Sequence, residues 1–144
     1  MGVRLTIKGK SEEIKFDKDN ITSARFISDT PDDSNARASE LSAILEIKGK
    51  IITPVNGETA DDTVKMANWS LVPAESSDAY RDVLLEVIAG SVMVRKTHFT
   101  NGFIIDYTED YTSTDGVGTF TVLLKQKKEK MEEVQIEGGY KAEE

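Results

Sequence analysis

Polar and apolar residues alternate along much of this chain with a period of two, the spacing that sends successive side chains to opposite faces of a β-strand. Leu5 and Ile7 alternate with Arg4, Thr6 and Lys8. Past Gly9-Lys10-Ser11, Ile14 and Phe16 alternate with Glu13, Lys15 and Asp17, so the two stretches predict a hairpin. Asp17-Lys18-Asp19-Asn20 turns the chain into a third strand over 21–28, carrying Ala24, Phe26 and Ile27. Residues 41–52 repeat the pattern, with Leu41, Ala43, Leu45 and Ile47 on one face and Ile44 on the other. Residues 79–130 read as a run of strands at 83–88, 92–95, 103–107 and 119–125, joined by Gly-containing turns. Gly90-Ser91, with Gly first, suits a type II′ hairpin. The stretch 92–111 admits two readings. Asn101-Gly102 is a hairpin signal; the alternative is one bent strand with a bulge, because a straight strand of that length would span roughly 65 Å. Val134 and Ile136 predict a short edge strand, and 138–144 is expected to be a flexible tail.

Two segments break the alternation. Residues 29–40 hold no large apolar side chain and concentrate Asp, Ser and Asn around Pro31, which predicts a long surface loop. Loops of that length are commonly functional. Beyond 54–57 the spacing becomes helical. Thr59 is the expected N-cap, and Asp61 and Asp62 stand where the helix dipole favours acid. Val64, Ala67, Trp69 and Leu71, with Met66, form the expected apolar face, and Pro73 ends the helix. The only tryptophan, Trp69, is read as the anchor of that helix against the sheet. The fold class is therefore mainly β: an antiparallel β-barrel or sandwich with one short α-helix, a single domain over 1–137.

Several strands are apolar on both faces. Val83, Leu85 and Val87 oppose Leu84 and Ile88, and Phe103, Ile105 and Tyr107 oppose Ile104. One face fills the interior, and the other needs a cover from the helix, from loops or from another subunit. Self-association enters as a hypothesis here.

The 144 residues suit one domain, and 38% hydrophobic content is enough for a core. The formal charge of −8 argues against a general nucleic-acid binder, which needs clustered Lys and Arg. Without cysteine there is no disulfide, thiolate nucleophile or Cys-based zinc site. The first residues enter strand alternation directly and lack the apolar core of a signal peptide, so a soluble protein not exported by a cleaved signal is expected. No run approaches the ~20 apolar residues of a membrane helix.

Chemistry is sparse. His98 is the only histidine, and no serine sits in a Gly-x-Ser-x-Gly elbow, so a His98 hydrolase has little support. The acidic groups Asp29, Asp32, Asp33 and Asp106, Glu109, Asp110 match no calcium loop and read as solvated surface. Strand alternation puts Glu109 and Asp110 on opposite faces, against a carboxylate pair. Gly116 and Gly118 read as a turn, and the basic run 125–130 as a solvated strand end. No catalytic residue, cofactor or metal site is assigned, and the protein is read as a non-enzyme.

The order of elements, with DTVKMANWSLVP, DVLLEVIAG and FIIDYTEDYTSTDGVGTFTVLLKQKK as its best stretches, resembles the tail-tube fold of phage tail-tube proteins and of the Hcp tube protein of type VI secretion. The resemblance covers most of the chain. It implies a structural subunit that assembles in the cytoplasm into hexameric rings and a hollow tube, and then forms part of a phage-like or injection particle. The implied partners are further copies of the chain and sheath or baseplate proteins, with no membrane and no sequence-specific nucleic acid. It also places Pro31, Asp32, Asp33, Ser34, Asn35 and Arg37 at a candidate inter-subunit contact, reaching basic groups such as Arg81, Arg95, Lys96 or 125–130. The competing expectation is a monomeric or dimeric β-sandwich binding module or baseplate adaptor, with an aromatic patch from Tyr107, Tyr111 or Tyr140.

Overall fold

Each alternating stretch forms a strand in the computed structural model, which describes residues 1–30, 41–52, 61–113 and 117–142. The order is β1 (Gly2–Lys8), β2 (Glu13–Phe16), β3 (Ile21–Asp29), β4 (Ser42–Ile51), the helix α1 (Thr63–Ser70), then β5 (Arg81–Ala89), β6 (Val92–Tyr111), β7 (Gly118–Gln126), β8 (Gln135–Glu137) and β9 (Tyr140–Lys141). Short 3₁₀ turns, Ser77–Ala79 and Lys128–Glu133, precede β5 and β8. The strands make one sheet in the order β2-β1-β5-β6-β7-β4-β3, with β8 and β9 also on β6. The sheet curls over its inner face without closing, so β2 and β3 remain its two ends. Across the roll, Phe16 of β2 meets Phe120 of β7 with ring centroids 5.3 Å apart. Leu5, Ile7, Leu45, Ile47, Val83 and Phe99 are fully buried between the walls. All but Phe99 are residues that alternation assigns to one face, and each such burial contributes about 1.5–3 kcal/mol.

The helix differs from its expected form. It begins at Thr63, and it buries Thr63, Met66 and Trp69 while Val64 and Leu71 face solvent. Two turns of helix present one narrow stripe, and Trp69 sets its rotation: the indole N–H donates to the Ala79 carbonyl at 3.2 Å. Asp62 takes the N-cap position with no side-chain cap bond. The neighbouring Asp61 does the fixing instead. Its Oδ1 accepts from the Thr63 N–H at 3.1 Å, and its Oδ2 accepts from the Ile52 N–H at 2.7 Å and from Asn20 Nδ2 at 3.3 Å. One carboxylate thus ties the helix start to β4 and to the turn before β3. Thr59, the expected cap, lies outside the described residues.

Between the two readings of 92–111, the bent strand is the one formed. β6 pairs with β5 from Val92 to Gly102 and with β7 from Gly102 to Tyr111. Gly102 is the pivot, because a Cβ there would stand 2.7 Å from Val83 Cγ2. A register shift between Ile104 and Asp106 supplies the bulge. The buried Gln126 side chain locks the bend: it accepts from the Asn101 N–H at 2.9 Å and donates to Thr100 Oγ1 at 3.0 Å and to the Lys130 carbonyl at 2.8 Å. β8 is the short edge strand expected near Ile136. The segment expected as a tail carries β9, registered to Val92 and Met93.

Candidate assembly surfaces

The second half of β6 forms a four-strand blade with β7, β4 and β3. Both of its edges are bare among the described residues. Among the described residues no strand pairs with the outer edge of β3, or with β6 beyond Gly102 on the side away from β7. Bare strand edges carry unpaired N–H and C=O groups, ready to template another strand. In one row the two edges carry opposite charge. On the outer face one row runs Arg25, Glu46, Leu123, Asp106 across the four strands, so a cation closes one end and a carboxylate the other. The adjacent row, Ile27, Ile44, Lys125 and Phe103, is half-buried, with the ring of Tyr80 edge-on to Phe103 at 5.8 Å. Phe26 shares the face of buried Leu45, yet is 41% exposed because nothing described flanks β3 there.

At the tip of the β6–β7 hairpin, Tyr107, Glu109 and Tyr111 share one face. The Tyr107 hydroxyl donates to Glu109 Oε2 at 2.6 Å and the Tyr111 hydroxyl to Glu109 Oε1 at 2.7 Å. Tyr107 also stacks on Phe120. Burial, and then the bond to the Glu109 carboxylate, push the Tyr107 hydroxyl pKa far above the ordinary tyrosine value; for Tyr111 the same hydrogen bond is the leading cause of an upward shift.

The basic groups expected to meet an acidic loop are not equivalent. Arg81 is buried, its guanidinium on Glu12 at 3.0 Å and Asp78 at 2.7 Å and 5.0 Å over the Trp69 ring, so it is a strut of the fold. Lys96 stands between Glu86 and Glu137 on the outer face of β5, β6 and β8. Lys127 lies 4.6 Å over the Tyr80 ring, and Lys130 pairs with Glu133 at 3.3 Å. Arg95 is exposed. His98 Nε2 lies 2.5 Å from Asp82 Oδ1 in a hollow of about 260 Å³, also lined by Leu84, Lys96, Gln135 and Glu137; none of these is a hydroxyl or thiol nucleophile. Among the described residues no group of three or more His, Cys, Asp or Glu is placed to hold a metal ion. No described helix is long and apolar enough to cross a membrane.

Pro31, Asp32, Asp33, Ser34, Asn35 and Arg37 lie outside the described residues. The strand ends nearest them in sequence, Asp29 and Ser42, are cross-strand partners at one end of the blade. That is the end of Lys125 and Phe103, opposite the Tyr111–Gly118 tip.

No protein-family model matches this chain, and no curated protein sequence does. Solved structures do match. A chain of the six-fold symmetrised baseplate of the anti-feeding prophage aligns with a TM-score of 0.55 at 11% identity, covering 94% of this chain and 92% of that one. Hcp1 from Flavobacterium johnsoniae aligns at 0.50 and 12%, covering 96% and 98%. A chain of the PVC sheath-tube complex, an extracellular contractile injection system in its extended state, aligns at 0.50 and 13%, covering 94% and 89%. The chain has the Hcp-like tail-tube fold. At such identities the likeness defines architecture, and residue roles rest on the geometry above.

Proposed function

We propose that this protein is a structural subunit that joins edge to edge into rings, and that the rings stack into the hollow tube of a phage-tail-like or contractile injection particle. The observation that carries the reading is the blade with two edges bare among the described residues and with Arg25 and Asp106 at opposite ends of one row. Pairing β3 of one copy with the β6 edge of the next is a heterologous contact, which closes into a ring when the rotation per copy divides the circle. It sets Arg25 beside Asp106 and continues the sheet around the ring. Six copies per ring fit the six-fold symmetry of one structural neighbour. Stacking then falls to the two ends of the blade. Residues 31–37, which begin two positions beyond Asp29, reach from one end toward the tip of the next ring, where Lys50 is exposed beside Thr119. Sheath or baseplate proteins are the further partners, assembly takes place in the cytoplasm, and the role is non-catalytic.

A charge swap tests the edge contact. Arg25→Glu alone and Asp106→Arg alone each raise several-fold the concentration at which rings form, since an exposed pair contributes about 0.2–1 kcal/mol per interface. The two together restore assembly by re-forming the pair with its sign reversed. Sedimentation of the purified variants reads this out; a double variant no better than the worse single one overturns the edge contact. The binding-module reading is disfavoured. Tyr140 is registered to Met93 and Tyr111 to Gly118, at opposite ends of β6, and both tip hydroxyls are committed to Glu109.

A further inference from the structure

The first half of β6 has a second edge, which β7 leaves uncovered when it follows the strand only beyond Gly102. Residues 135–142 occupy that edge. β8 pairs Glu137 with Lys96, Ile136 with Thr97 and Gln135 with His98, and β9 pairs Tyr140 with Met93. The Gly139 N–H donates to the Met93 carbonyl at 2.8 Å, and the Ala142 N–H to the Ser91 carbonyl at 2.7 Å. Backbone bonds are almost the whole attachment. Every side chain of β8 and β9 is exposed, Ile136 and Tyr140 among them. Among the described residues the segment's one side-chain hydrogen bond, Tyr140 to Glu137 at 3.4 Å, is internal to it. The last residue before it that packs on the core is Val134. A segment held this way opens at low cost.

The seat it would vacate is selective. A Cβ at position 138 would lie 2.2 Å from the Val94 carbonyl oxygen, and Gly139 has φ +84, a backbone region that favours glycine. A strand filling this edge therefore needs Gly-Gly between its two pairing halves, and this chain's own sequence supplies it.

We propose that residues 135–142 form an exchangeable strand, which leaves its own β6 and seats in the same register on the vacated β6 of a second copy. The contacts inside and between copies are identical, so exchange is a low-cost link between subunits. It is separate from the β3–β6 edge contact and does not require rings.

The chain has no cysteine, so two introduced thiols report on exchange without background. Lys96 and Glu137 are directly opposed, and opposed residues of an antiparallel pair lie about 4.5–5.5 Å apart at Cα, within disulfide reach. The double variant K96C/E137C establishes that the pair can close. In an equimolar mixture of K96C chains and E137C chains only exchange seats the two thiols side by side, and random encounter is the background. Mild oxidation is expected to yield a two-chain product joined at positions 96 and 137. Its excess over a control mixture carrying Gly138→Val in the E137C chain is expected to be on the order of a hundredfold, the advantage of a seated strand over random encounter. A mixture that yields no more product than this control, while the double variant closes within its own chain, overturns the proposal. Rings without the cross-link remove exchange and leave the tube reading in place; cross-linked pairs without rings do the reverse.

Discussion

Trp69 joins three parts of the molecule. Its ring is buried under α1, its N–H holds the Ala79 carbonyl, and its face receives the Arg81 guanidinium that also grips Glu12 and Asp78. Trp69→Ala is expected to cost about 3–5 kcal/mol, measured by denaturant unfolding; an unchanged midpoint would contradict the anchor. At the blade tip, Tyr107 makes a pH prediction. Its hydroxyl pKa is raised in the fold above the ordinary 10.0, so the fold favours the neutral phenol. The stability this contributes is fully present below pH ~10 and is lost as pH rises from there toward the folded-state value. Stability should therefore fall more steeply above that pH in the parent than in Tyr107→Phe, and equal slopes would show that burial and the Glu109 bond do not hold the phenol neutral. Trp69 is legible from sequence as a lone large aromatic in a helical stretch. The buried Gln126 is not, since it sits in a polar run whose neighbours, Lys125 and Lys127, suggest a solvated strand end. Only the bend of β6 gives its amide partners.

Strands were more legible than their surroundings because alternation is a local signal, and one period decides which face is buried. The pairs Leu5/Ile7, Leu45/Ile47 and Val122/Leu124 all point inward as spacing requires. The helix was legible as a helix but not in its rotation. Val64 and Leu71 fit an apolar stripe on paper, whereas the stripe in place is Thr63, Met66 and Trp69. A two-turn element has too few residues for its own pattern to fix an angle, and contacts outside the helix, Trp69 to the Ala79 carbonyl and Asp61 to Ile52 and Asn20, fix it instead. The bend in β6 left two readings open for a related reason. Asn-Gly favours a hairpin locally, but the strand is held by two different neighbours, β5 before Gly102 and β7 after it, and Gly102 serves close approach to Val83. β9 was missed because its sequence, Gly-rich and charged, carries no apolar alternation; its attachment is backbone alone.

For the whole molecule, the second apolar face seen in the sequence has a partial cover. Tyr80 packs on Phe103, while Ile105 and, on the inner face, Phe26 stay exposed, and the two blade edges are bare among the described residues. A subunit with a curled core and an open blade is suited to extension by copies of itself, and in the proposed edge contact the opposite charges of Arg25 and Asp106 would orient that extension head to tail. On the proposed reading the acidic stretch 31–37 serves stacking rather than ring closure, so replacing it with a Gly-Ser linker should leave rings intact and shorten the stacks. The account rests on self-assembly through the blade edges. It is tested most directly by light scattering coupled to size exclusion over a wide concentration range, with negative-stain imaging of the main peak. Closed rings with a central hole, alone or stacked, are the predicted result; a clean monomer at every concentration, with no rings in the images, would contradict it.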